Sequence, residues 1–511
     1  MQIMKTLKLS IYIIIFSLLM SSCEDFLSEK PSKSSSLVPT SVEQLEYLLN
    51  LYSTFYQEGN RTIIYSTDDY GLLPELYQAK SNIYSVAAVQ FAAWDTEFLP
   101  FDTRENFWPG EYKKIFTANM IMSNLSKVEG TDAQKEQLRL ESHLVRAVSM
   151  WNLAQTYCLP YTAATKDEPG LVLKKSTSFE EPYDRATLEE TYTMIESDVE
   201  EALKLTNKME LVNNKYRSWR GSKAAANAFA ARYYLNRNDY QKALTHANVA
   251  LQEHNVLMDY NTDMRYSSIT SNVTVNGKPV PVLYPYTHDN QTDMTDMMEW
   301  KEFYYFRMLY HESWWYVPSP ELLALYDQTH DLRFKYHMVD NYSYDRGLTN
   351  PAYEYPGYVF FYKDRIPIGP TVAEMLLIKA ECLARDNKVS EAMTAVNQLR
   401  AKRFDNQAPS QVINLTASSK NEAVAKILEE RRREMPFSQR WYDIRRLNSN
   451  EDTFDDVPVL TRNFYGYNSA TITPAGGLKT YSLEKNSRRF AAPIPDTEIL
   501  SSEVVIKQNT Y

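Results

Sequence analysis

Apolar residues recur at intervals of three and four along much of this chain, the spacing that turns one face of an α-helix toward a core. Ala231, Tyr234, Ala243, Leu244, Ala247, Ala250 and Leu251 carry this pattern around a polar break at Asn238-Asp239, which predicts two antiparallel helices joined by a tight turn. The same arrangement returns 149 residues later, with Ala380, Leu383, Ala392, Met393, Val396 and Leu399 around Asn387. In both copies the alanines let two helices approach closely, while larger side chains such as Tyr234 and Leu244 fill the groove between them. A third, interrupted pair sets Ala147, Trp151, Ala154 and Tyr157 against Tyr192, Ile195, Val199 and Ala202, across a loop from Cys158 to Arg185 that holds three prolines. Residues 42–52 and 112–125 also read as amphipathic helices. The expected fold is mostly α, a scaffold of stacked helix pairs within about 41–255 and 371–447 with a few short strands.

Residues 55–110 and 256–370 lose the helical period and gain Pro, Asp, Asn and aromatics, with a strand pair expected around Asn276-Gly277. Long excursions from a rigid scaffold usually carry a binding surface. At the N-terminus Lys5 and Lys8 precede an apolar stretch from Leu9 to Met20 and then Ser21-Ser22-Cys23. An apolar run of about a dozen residues is too short for a membrane-spanning helix, which needs roughly 20, and has the layout of a cleavable secretory signal. Small residues before Cys23 resemble a bacterial lipobox. Residues 1–22 are thus expected to be removed, leaving Cys23 as a lipidated first residue, with each buried acyl methylene contributing about 0.8 kcal/mol to membrane attachment. Ser28–Ser36 reads as a polar tether, and 23–511 as a single domain.

Charge narrows the partners. The chain carries a net charge of −10, and loss of residues 1–22 removes two lysines and no acid, leaving 489 residues at −12. Such a surface repels nucleic acid, and no basic stripe interleaved with aromatics offsets it. Cys158 and Cys382 fall in or at the end of expected helices and read as small buried hydrophobes. Tyrosine is abundant, at 38 residues against 13 glycines, and offers a flat apolar face with a hydroxyl handle suited to packing helices and to gripping sugars.

Several motifs together carry a resemblance. The helix-pair spacing resembles a tetratricopeptide repeat. Ile427–Glu434 runs into Arg440-Trp441-Tyr442-Asp443-Ile444-Arg445-Arg446-Leu447; Phe107-Trp108 leads to Tyr112, Ile115 and Ala118-Asn119; and the chain closes on Pro493-Ile494-Pro495, Glu498-Ile499, Gln508-Asn509 and Tyr511. From Cys23 to Tyr511 the chain resembles the SusD/RagB family, surface lipoproteins of Bacteroidetes that capture nutrients, mostly glycans. The resemblance implies a lipid anchor in the outer membrane facing the exterior, and as partner a TonB-dependent transporter of the SusC type. Glu24-Asp25 after the cysteine suits export to the surface. Met435–Gln439 departs from the apolar-Phe-Glu-Gly run usual in the family, which bears on a turn and not on ligand choice.

The Glu430–Arg446 cluster reads as structural, because Glu and Arg at helical spacing form ion pairs and Asp443 with Arg446 can tie a helix end to its neighbour. No two of the seven histidines stand three or four apart, and zinc-helix, nucleophile-elbow, phosphate-loop and Cys-x-x-Cys patterns are missing. No cofactor or metal is assigned, and the Asp68-Asp69 pair lacks an EF-hand pattern. Sugar rings present apolar C–H faces, so the candidate ligand residues are aromatics outside the scaffold: Tyr70, Tyr84 and Trp94 in the first region, and Tyr284, Tyr286, Trp300, Tyr304 and Trp314 in the second. Trp94 and Trp300 stand among polar residues and are favoured, and one of the Trp314-Trp315 pair is expected to be buried. Asp68, Asp69, Asp95, Asn290 and Asp293 are candidates to meet sugar hydroxyls. The expected function is oligosaccharide capture and delivery to the transporter, without chemistry. Capture of peptides or other nutrients, a glycan-degrading enzyme using two loop carboxylates, and a scaffold that recruits another protein are the alternatives.

Overall fold

The computed structural model describes residues 39–55, 57–95, 106–178, 180–269, 271–289, 294–348 and 353–511. The expected signal, Cys23, Asn290 and Asp293 lie outside the described residues.

Ten helices make the scaffold: α1 (Val42–Asn50), α2 (Phe107–Asn124), α3 (Asp132–Tyr157), α4 (Leu188–Ala202), α5 (Lys223–Asn236), α6 (Tyr240–Glu253), α7 (Val372–Arg385), α8 (Val389–Arg400), α9 (Lys420–Glu434) and α10 (Arg440–Leu447). Hydroxyl caps start five of them. Thr131 and Thr187 form full capping boxes with Gln134 and Glu190, and Ser222, Thr371 and Ser419 each accept from the third residue of their helix. Packing follows the expected pairs, with α3 between α2 and α4, α5 against α6, α6 against α7, and α7 against α8 and α9. Ala243, Ala247 and Ala250 are fully buried on α6, and Ala380, Ala384 and Ala392 do the same for α7 and α8. Both repeat turns use asparagine in the left-handed region, Asn238 at φ 58° and Asn387 at φ 60°, where its short polar side chain is tolerated better than most.

The Glu430–Arg446 cluster locks these helices together. Glu430 is fully buried among Arg333, Arg400 and Arg433. Asp443 accepts from Arg431 of α9 at 2.8 Å and from Arg446 of its own helix at 2.8 Å, and Arg446 reaches on to Glu381 of α7 at 2.6 Å. The tie between helices is thus made by Arg431 and by the Arg446–Glu381 pair, while Asp443–Arg446 is internal to α10. Arg232 of α5 pairs with buried Glu374 of α7. The chain end is fastened through Gln508, whose amide exchanges two hydrogen bonds of 2.8 Å with the Ile494 backbone. Asn509 donates to the carbonyls of Tyr157 and Ala492 at 2.9 Å.

The two non-scaffold regions form one assembly. β1 (Gln57–Glu58) pairs in parallel with β4 (Met308–Tyr310), which pairs antiparallel with β5 (Arg365–Pro367); the hairpin β2 (Ser271–Val275) and β3 (Lys278–Val282) lies between β1 and β4 in the chain and turns at Asn276-Gly277, both at positive φ. Gly71 N–H donates to Val317 O at 2.7 Å and Ser319 N–H to Asp69 O at 2.8 Å, so the 66–72 segment lies along the 317–319 segment. The largest hydrophobic cluster runs from Ile63 to Ile506 and joins this assembly to α3–α7 and the chain end. Cys158 and Cys382 are buried and unpaired. Among the described residues no helix is long and apolar enough to cross a membrane.

Candidate functional site

Strand β4 ends at Tyr310, and the next five residues turn back sharply. His311 is fully buried, and its N–H donates to Asp364 O at 2.8 Å. Its Nδ1 accepts from both the N–H and the hydroxyl of Ser313, at 3.1 and 2.9 Å. Burial pushes its pKa down to about 3, which keeps the ring neutral and Nδ1 free to accept. Trp314 follows with φ 59°, a left-handed conformation that a tryptophan rarely adopts. Hydrogen bonds hold it there: Trp314 N–H donates to His311 O at 3.1 Å, the Tyr342 hydroxyl to Trp314 O, and the Arg346 guanidinium to Ser313 O at 3.0 Å. The result is an indole that is 43 % exposed, its edge against Tyr362 with ring centroids 6.3 Å apart, while neighbouring Trp315 is buried.

Trp314 stands at the rim of a cavity of about 210 Å³ whose walls include Tyr70, Lys80, Asn82, Glu312, Ser313 and Arg346. Glu312 is clamped by Arg61 through two bonds of 2.8 and 2.6 Å. Burial alone would raise its pKa, but Arg61 holds it below the usual carboxylate value. Lys80 Nζ donates to Arg346 O at 2.7 Å. An apolar plate beside hydroxyl, amide and charged groups is the composition that sugar recognition calls for. A second recess, about 250 Å³, is lined by Trp108, Tyr112, Phe116 and Tyr183 and is mostly apolar.

Most of the sequence candidates lie elsewhere. Trp94 is buried, with its indole N–H donating to Ser66 O at 2.9 Å and the Arg462 guanidinium 5.8 Å over its ring. Trp300 is buried edge-on against Tyr260 and Phe360. Tyr304 is buried with its hydroxyl on His254 O. Tyr84 donates to Gly71 O at 2.8 Å and accepts from Leu73 N–H at 3.0 Å, and Tyr284 stacks on His288 at 4.0 Å. All five rings are buried and leave little surface for a ligand in this structure. Tyr70 is buried against Tyr65 yet contributes to the cavity wall, and half-buried Tyr286 lies under Arg265, outside this cavity.

The acidic candidates are engaged as well. Asp68 is held by Arg440 at 2.7 Å and Arg432 at 3.3 Å; burial opposes its charge, but Arg440 keeps its pKa well below the usual carboxylate range. Asp69 accepts from Arg432 at 2.5 Å and from Phe437 N–H at 2.9 Å. Asp95 accepts from the Tyr467 hydroxyl at 2.8 Å. Asp68 and Asp69 therefore pin the 66–72 segment to α9 and α10, and neither lines the cavity. Sequence reasoning missed Lys80, Asn82, Glu312, Ser313 and Arg346; the polar run Glu312-Ser313 before the tryptophan pair was the one local signal, since Arg61 lies 251 positions from Glu312.

Two family models match this chain: one described as starch-binding associating with outer membrane, over residues 25–235, and one described as the SusD family, over residues 372–511. SusD-like protein P2 of Formosa agariphila is 24 % identical over 389 residues, which is 68 % of this chain and 72 % of that protein. A SusD superfamily protein of Bacteroides thetaiotaomicron superposes with a TM-score of 0.58 at 18 % identity, over 92 % of this chain and all of that one. A SusD-like carbohydrate-binding protein of Bacteroides vulgatus gives 0.57 at 17 % identity, over 91 % and 97 %. At these identities the structures speak for the fold alone, and they agree on its mostly helical architecture with small sheets.

Proposed function

The chain belongs to the SusD/RagB family of non-catalytic binding proteins associated with the outer membrane, and from that premise we propose that it captures oligosaccharides at the Trp314 cavity and hands them to a TonB-dependent transporter of the SusC type. The observation that carries this reading is Trp314 itself. A large apolar ring left 43 % exposed at the rim of a cavity, with the cavity's polar groups beside it, is suited to contact with something outside the chain. The exposed indole offers a sugar an apolar face, and Asn82 and Ser313 offer partners for its hydroxyls.

A hydrolytic reading finds less support. Glycosidases act with two carboxyl groups about 5 to 10 Å apart, whereas Glu312 is the single carboxylate lining the cavity among the described residues and Arg61 keeps it charged. Anchoring through a lipidated Cys23 and orientation toward the exterior complete the proposal.

Its test is calorimetric titration of the mature chain carrying Cys23→Ser against plant, host and microbial oligosaccharides, each mixture then analysed for cleavage products. Binding without cleavage, weakened about tenfold or more by Trp314→Ala, is the expected result. Product formation, or silence across the whole panel, overturns it.

A further inference from the structure

Charge at the cavity runs against charge of the whole. The chain is net −10, yet two cations, Lys80 and Arg346, line the cavity, and among the described residues neither forms an ion pair with any carboxylate. The nearby acids are matched by other bases. Glu312 is held by Arg61, and Asp345, next to Arg346 in the chain, is held by Lys363. Asp68 and Asp69 face Arg440 and Arg432. Glu75, in the first turn of the short helix Pro74–Ala79 that ends before Lys80, stands apart from these: it is exposed and pairs with no base among the described residues.

Lys80 is also anchored to the backbone of the residue that bears the second cation. Lys80 Nζ sits 2.7 Å from the carbonyl of Arg346 and keeps two further N–H donors. Gly347 beside it adopts φ +81°, and a Cβ there would lie 2.7 Å from Lys80 Nζ, so a larger residue would displace the ammonium from this position. Arg346 gives one nitrogen to Ser313 O, and its Nε finds no acceptor. Both side chains line one cavity without a carboxylate counter-ion, and an anion entering it gains charge-assisted hydrogen bonds from either. Neutral sugar hydroxyls need no such arrangement.

Resting on the capture reading above, we infer that the Trp314 cavity selects acidic oligosaccharides, whose carboxylate or sulfate lies against Lys80 and Arg346 while a ring of the same or the adjacent sugar lies on Trp314. A guanidinium and an ammonium serve either anion, so the two sources are separated by experiment.

The experiment titrates the mature Cys23→Ser chain at low salt with two matched pairs: an oligogalacturonate and its carboxyl-reduced counterpart, and a sulfated galactan oligosaccharide and its desulfated counterpart, with a maltooligosaccharide and a β-glucan oligosaccharide as further neutral probes. In one pair the acidic member is expected to bind about tenfold or more tighter than its neutral form, with the advantage shrinking as salt is raised. The pair that shows it names the anion. Lys80→Gln keeps a donor for the Arg346 carbonyl but removes the charge, and is expected to abolish the preference, while Lys80→Arg retains it. Neutral forms that bind as tightly as their acidic parents, or an acidic preference that survives Lys80→Gln, overturn this inference and leave sugar capture standing. No binding by any probe, neutral or acidic, overturns both.

Discussion

Three candidate tryptophans, Trp94, Trp300 and Trp314, end in different surroundings, and the difference lies in what each indole finds after folding. Trp94 and Trp314 both have positive φ, 53° and 59°. Trp94 nonetheless sinks into the core, where Ser66 O accepts its N–H, and Trp300 is enclosed by aromatic edges. Trp314 stays out, its backbone bonded to Tyr342 and His311 while Arg346 holds the preceding carbonyl of Ser313. Trp94→Ala and Trp300→Ala are therefore expected to cost about 3–5 kcal/mol of stability in chemical denaturation, whereas Trp314→Ala is expected to change stability by less than about 0.5 kcal/mol and to act on binding. Glu58, in the strand beside β4, gives a pH-dependent prediction. Burial, with the charge of Glu111 added, pushes its pKa up to about 7 from an ordinary 4.5. A carboxyl raised on folding contributes stability that is complete below about 4.5 and lost as pH rises through 7. Glu58→Gln, which still offers an amide oxygen to Asn152, is expected to be more stable than the natural chain by about 2 kcal/mol at pH 8, a gain that shrinks toward pH 5 in paired thermal melts.

Helix pairs and the Asn276-Gly277 hairpin were legible in the sequence because periodicity and turn residues are local signals. The spacing around Asn238 and Asn387 placed both antiparallel pairs, and left-handed asparagine at both turns accounts for those residues. Asn387→Gly is expected to be neutral to within about 0.5 kcal/mol, and Asn387→Val to cost about 1–2 kcal/mol, in urea titrations. Ala247, fully buried between α6 and its neighbours, has no room for a larger side chain; Ala247→Leu is expected to cost about 1–3 kcal/mol. The candidate site was far less legible. Burial of an aromatic is decided by contacts from distant segments, and Arg432 and Arg440 reach Asp68 and Asp69 across more than 360 positions. The sequence showed acids where sugars would want them; the fold supplied arginines that pair with them first.

Over the whole molecule, two loop-rich regions separated in the chain converge through β1, β4 and β5 to build one cavity, and the α-helical scaffold supports it from behind. Arginine-rich pairs join α5, α7, α9 and α10 to each other and to the 66–72 segment, so the cavity wall at Tyr70 is tied to the helices. Attachment to the membrane through Cys23 is a separate part of the proposal. Replacing it with alanine in the full-length chain is expected to move the protein from the membrane to the soluble fraction on cell fractionation, with oligosaccharide binding unchanged. The measurement that tests the central claim most directly is a crystal structure of the mature chain with an oligosaccharide that it binds in solution. The account predicts a sugar ring lying on the face of Trp314, with hydrogen bonds from Asn82 or Ser313 and its acidic group near Lys80. A sugar seated elsewhere, for example in the recess beside Trp108 and Phe116, with the Trp314 cavity holding only solvent, would contradict it.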